Sequence, residues 1–330
     1  MRSHFFGMDT LGPHAWMALA FALLASFMFR PAPESGGWLW AVALFVIGMP
    51  HGGYDLEAIR RTTGTRAWGA VVRPFAAYTL VMLACLGAMV AVPTIALLAF
   101  LCLTMHHFGH SDSVWTRYEA RPRLLDRVPA WGHGAVVIAS PFYFQPAAAW
   151  MPFETIARVF RSQHTLSLPS LQLAAGVLLT LAAALLCLGI VRLIVAHRHR
   201  DAVRQIAIVA LMLALAAYAP PLVAVGAYFL VVHALGHCLT ASLPPRGRTS
   251  SATVAGAWRV HARSLPLLLP SILIVLAMSG LFMAKPVLVD RIGLAFLLFC
   301  VFATLPHHML WAGSTFFGTL RVPHASIDQS

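Results

Sequence analysis

Charge is scarce in this chain. Only 10% of its 330 residues are Asp, Glu, Lys or Arg, against about a quarter in an ordinary soluble domain. Acidic side chains are scarcer still, 11 against 23 basic ones. That shortfall excludes a water-soluble fold with a charged skin. The signatures of several common enzyme classes are also missing: no HExxH, P-loop, dinucleotide fingerprint or serine-centred elbow occurs. The five cysteines (Cys85, Cys102, Cys187, Cys238 and Cys300) are scattered through apolar runs without a CxxC pair. They read as buried free thiols rather than a disulfide framework or a sulfur-bound metal. No fixed-period repeat or low-complexity tract is visible, and Thr249–Ser251 sits in the one loop that looks flexible.

What is abundant is apolar: 59% of the residues are hydrophobic, arranged in repeated runs of roughly twenty residues. The pattern predicts an all-α, polytopic transmembrane helix bundle, a single integral-membrane domain over residues 1–330. Ten spans are expected, at 11–29, 38–59, 74–92, 94–111, 129–148, 169–191, 205–219, 221–243, 265–284 and 292–312. The first follows Arg2, has no clean cleavage site after it, and is read as a retained helix rather than a signal peptide. Pro93 and Pro220–Pro221 mark tight connections. The net charge of +12 is attributed to basic loops facing the cytoplasm, so no nucleic-acid partner is expected. With ten spans, 18 of the 23 basic residues fall on one side, Arg2 and Arg321 among them. This places both termini in the cytoplasm and the protein, multi-pass, in the cell's inner membrane.

Four apolar runs carry histidines. Tyr228–Leu239 (YFLVVHALGHCL) holds His233 and His237 four apart, on one helical face and able to reach one metal ion. Pro50–Asp55 (PHGGYD) holds His51, two glycines that admit a neighbouring backbone, and Asp55 placed to fix a ring tautomer. His106–Asp112 (HHFGHSD) offers His106, His107 and His110. His106 and His110 share a face and His107 lies about 100° away, so periodicity does not choose between them. Pro306–Trp311 (PHHMLW) offers His307 and His308. The bland alternative for each is a solvated helix end or a histidine bonded across helices. Against it stands the topology: His51, His107, His237 and His307 all fall toward the cytoplasmic ends of even-numbered spans. Eight of the 16 histidines lie in these motifs. Most of the others, such as His4, His14, His164 and His324, read as loop or terminal residues, with His133 and His261 as exceptions. Imidazole ligation backed by Asp55 and Asp112 suits iron, zinc or copper, and the lack of a motif-defined general base disfavours hydrolytic zinc chemistry.

In order and spacing, PHGGYD, HHFGHSD, YFLVVHALGHCL and LPHHMLW resemble the Brp/Blh family of membrane β-carotene 15,15′-dioxygenases. The resemblance runs from the second span to the tenth. It implies cleavage of the central double bond of β-carotene by O2, giving two molecules of all-trans-retinal, at a non-haem Fe(2+). It also implies His51, His107, His233 and His237 as the catalytic metal ligands. His106, His110, His307, Asp55 and Asp112 are then supporting groups or alternative ligands. Gly53–Tyr54 and the extra histidines of the second motif depart from the commonest family pattern. A C40 polyene dissolves only in lipid, so a site opening into the bilayer is expected. With the histidines in the cytoplasmic half, the substrate should lie tilted or inserted laterally. A downstream retinal-binding rhodopsin is a possible partner. The competing readings are a di-iron lipid or carotenoid desaturase or hydroxylase, which also uses HxxxH patterns, and a metal-ion or haem transporter, for which no matching halves are seen.

Overall fold

The computed structural model describes residues 11–30, 48–63, 68–116, 124–161, 166–242 and 254–311. Residues 38–47 of the expected second span, the loop around Thr249–Ser251, and His4, His164 and His324 lie outside them. Among the described residues the chain is helical, with no strand. The helices are α1 (Leu11–Phe29), α2 (Met49–Gly53), α3 (Asp55–Thr63), α4 (Trp68–Ala91), α5 (Pro93–Asp112), α6 (Leu124–Phe144), α7 (Pro146–Val159), α8 (Leu168–Val195), α9 (His199–Tyr218), α10 (Pro221–Tyr228), α11 (Leu235–Ser242), α12 (Val254–Met278) and α13 (Leu288–Trp311). A π-helical turn, Phe229–Ala234, joins α10 to α11.

Proline sets the corners. The residue before a proline is pushed out of the helical region. Val92 (φ −141°, ψ 62°) and Gln145 (φ −139°, ψ 59°) both break a helix there, and the proline opens the next one. The Gln145 side chain donates from Nε2 to the carbonyls of Ala216 and Ala219, at 2.9 and 2.7 Å. It thereby satisfies carbonyls that the end of α9 leaves unpaired. The expected fifth span, 129–148, is thus interrupted at Gln145. Its tail belongs to α7, a separate helix that periodicity did not separate from it.

Six helices are long and apolar enough to cross a membrane: Val71–Ala91, Leu168–Val195, His199–Tyr218, Pro221–Cys238, Trp258–Phe282 and Leu288–Leu310. They coincide with the expected third, sixth, seventh, eighth, ninth and tenth spans, the seventh starting earlier, at His199. The first has a shorter apolar stretch, Met17–Phe29. α5 and α6, at the fourth and fifth positions, have a span's length but carry His106, His107, His110 and Asp112, or Asp126, Arg127 and His133. The histidines of α5 and its Asp112 belong to the histidine-rich motifs, whereas Asp126 pairs with Arg192 of α8. Large apolar side chains point outward on α4 (Leu80, Leu83), α8 (Leu173, Leu181) and α12 (Leu269, Leu273), as expected of faces solvated by lipid.

The core forms where α6 packs on α5 and α8. Gly109 and Gly134 let α5 and α6 touch backbone to backbone: an added Cβ at Gly109 would strike the Ala130 carbonyl, and one at Gly134 the Met105 carbonyl. α2 packs against α12 and α11. There Gly53 faces Ser264, whose carbonyl would sit 3.2 Å from a Cβ. Gly52, by contrast, borders open space.

Candidate metal centre

Five histidine-bearing elements meet in one cluster. α2 begins with Pro50 in its first turn, so His51 projects from a short helix wedged against α11 and α12. The tight crossing with α6 fixes α5 and with it His107. α13 brings His307 and His308. The π-helical turn carries His233, and α11 carries His237 one turn later. Such a turn shifts the register of everything after it, and π-bulges often sit at functional sites.

One ring nitrogen from each of His51, His107, His233 and His307 lies within 4.8 Å of those of the others, and all four side chains are buried. His107 Nε2 and His233 Nε2 are 3.1 Å apart. Nitrogens about 2.1 Å from a shared ion sit about 3.0 to 3.4 Å apart at octahedral to tetrahedral angles. The His51 ring centroid lies 4.8 Å from that of His233, 4.7 Å from His237 and 4.5 Å from His307. His51 Nε2 is buried and makes no hydrogen bond among the described residues, a costly state for a polar atom unless something binds it. This orphaned atom and the all-imidazole donor set both fit a metal ion.

The outward-facing ring nitrogens are held. His307 Nδ1 donates to Asp55, 2.9 Å from both oxygens, and Tyr78 donates its hydroxyl to Asp55 Oδ2 at 2.7 Å. His233 Nδ1 donates to Asp112 at 3.1 Å, and the Tyr228 hydroxyl donates to Asp112 Oδ2 at 2.9 Å. Carboxylates that accept from Nδ1 fix the tautomer, leaving the Nε2 lone pairs facing inward. His107 is backed differently, its Nδ1 lying 3.0 Å from His308 Nδ1, ring against ring. Behind Tyr228 the chain of contacts continues to His133 Nε2 (2.6 Å) and from His133 Nδ1 to Gln205 Nε2 (2.6 Å), all buried.

Of the four residues expected as ligands, His51, His107 and His233 therefore share one group with His307. His237 is half-buried and completes the cluster from the side, its ring 4.8 Å from that of His233. It also falls in a second close group with Asp112 and His233. Asp55, placed by sequence beside His51, holds His307 instead. His106 and His110 stack on each other outside the cluster, with His106 against Trp131 and His308. His261 stacks on Trp258 and falls in neither close histidine group. Sequence reasoning left the choice between His307 and His308 open, missed Tyr78 and Gln205, and gave His133 no role. The only signal for Tyr78 and His133 was a polar side chain in an apolar run, and Gln205 gave none beside the charged start of its helix.

His51, His107, His233 and His307 line a cavity of about 430 Å3 whose other walls are almost wholly apolar. Eight phenylalanines face it, among them Phe100, Phe142, Phe153 and Phe229.

Fold and site together define an α-helical protein of the multi-pass membrane type, with a buried histidine cluster able to hold a metal ion. The chain belongs to the beta-carotene 15,15′-dioxygenase family, whose model matches residues 42–313, most of its length. No curated protein and no solved structure matches it.

Proposed function

We propose that this protein is a non-haem, iron(II)-dependent oxygenase that cleaves the central 15,15′ double bond of β-carotene with O2 into two molecules of all-trans-retinal. One observation carries the reading: in a chain of this family, a cluster of buried imidazoles forms part of the wall of an apolar cavity. Bound there, iron(II) would supply the activation of O2 that the uncatalysed polyene lacks. His51, His107, His233, His237 and His307 form its pocket, and Asp55 and Asp112 hold two of the rings in the ligating tautomer. The phenylalanines align an elongated apolar molecule and keep water out. No side chain need act as an acid or base, which accords with a cavity wall almost free of titratable groups other than histidine. Ten spans, both termini cytoplasmic and insertion in the inner membrane complete the reading, with a retinal-binding rhodopsin as a possible consumer of the product.

The test is expression in a host that makes β-carotene. Bleaching of the cells with retinal appearing is the expected outcome. Unchanged pigment, with the protein inserted and iron supplied, would overturn the proposal. The second group, Asp112 with His233 and His237, favours one rival, a di-iron hydroxylase or desaturase. One iron per chain supports the dioxygenase, and two support the rival.

A further inference from the structure

The cavity has two unlike ends. Three helical stripes run away from the histidines: Leu222, Val225 and Phe229 lead to His233; Phe296, Cys300 and Ala303 lead to His307; Phe100 and Thr104 lead to His107. Each stripe follows three- and four-residue spacing, so each is one face of a helix. From Phe296 to His307 is eleven residues, about 16 Å at the rise of an α-helix. This limb ends against Pro141 and Phe142 of α6 and Ala149 and Phe153 of α7, all buried or nearly so. Phe153 packs on Phe142, Phe100 and Trp150, with ring centroids 6.0, 6.5 and 5.7 Å away. That end is blind.

The other end lies between α4 and α12. Phe75 and Thr79 of α4, and Pro270 and Ile274 of α12, line the cavity and are also exposed on the outer surface. That end is a mouth, on a face otherwise studded with exposed apolar side chains.

We propose that Phe142 and Phe153 are a stop that fixes which double bond of the polyene lies at the histidines. The inference rests on the proposed function and adds what sets its regiospecificity. A rod-shaped polyene slides in from the lipid through the α4–α12 mouth until its leading ring meets the stop. The scissile bond is then counted from that ring rather than from the middle of the molecule. In the reaction one C=C bond breaks, and each of its carbons takes one oxygen atom of O2, the oxidant, giving two carbonyl products.

Two measurements test this. An apocarotenal, with one β-ionone ring and a shortened far end, is given to the purified, iron-loaded protein. Retinal plus a short dialdehyde is the expected result. A cut displaced from the ring, or no cut by enzyme that cleaves β-carotene, overturns the stop. In Phe153→Ala the limb deepens, and β-carotene should give unequal products, one two carbons longer than retinal and one two carbons shorter. Should that variant not accumulate, Phe142→Ala makes the same prediction. Retinal alone from a folded, active variant overturns the stop. If the wild type itself leaves β-carotene intact, the proposed function has failed instead.

Discussion

At the centre, His233 and His307 each have a separate task for each nitrogen. Asp55 and Asp112 hold the outer atoms of His307 and His233, which turns the inner atoms toward a position where a metal ion could bind. Replacing His233 or His51 by alanine should abolish both iron binding and retinal formation, read by metal analysis and product chromatography. His199→Ala, exposed and outside both close histidine groups, should change neither. Asp55→Asn keeps the shape but offers an amide that accepts less well from Nδ1. We expect a loss in iron affinity of about 10- to 100-fold, the usual cost of removing a ligand's outer partner, measured by competition with a chelator. The pairing of Asp55 with His307 was not legible in the sequence, because the two residues are 252 positions apart and only the packing of α13 on α3 and α4 joins them. The HxxxH pair and the PHGG turn were legible, because local helical spacing already says which rings are neighbours.

Among the helices, proline and glycine decide where the site forms. The breaks at Val92 and Pro220 follow directly from X-Pro sterics and were readable in advance. The break at Gln145 was not read, since the apolar pattern runs through it. The π-helical turn was equally hidden, because its extra residue changes no composition and only the surrounding contacts select it. Deleting Val231 should return that segment to an α-helical register. It would rotate His233 and His237 about 100° relative to α10, so we expect membrane insertion without bound iron. Gly134→Val tests the α5–α6 crossing. With its Cβ aimed at the Met105 carbonyl, the helices must separate, at a cost of about 1–3 kcal/mol or more. A lower melting temperature in detergent, with iron lost early in the transition, is the expected reading.

Over the whole molecule, the apolar outer faces and the mouth between α4 and α12 suit the proposed entry of an apolar substrate sideways from the bilayer. Ser271→Trp, at the rim of that mouth, should lower kcat/KM for β-carotene while leaving iron content unchanged. The helical bundle and six of its expected spans followed from hydropathy, whereas the mouth did not, because it exists only as a gap between helices distant in sequence. The two aspartates behind the rings bear on one more property. Ligation of a cation requires neutral imidazoles, and with both carboxylates ionised behind them the pair would supply two negative charges in surroundings of low permittivity. That matches a doubly charged cation and leaves a triply charged one uncompensated, which is costly where water is excluded. The oxidised ion should therefore be the poorer occupant, and the protein itself would help keep its iron ferrous.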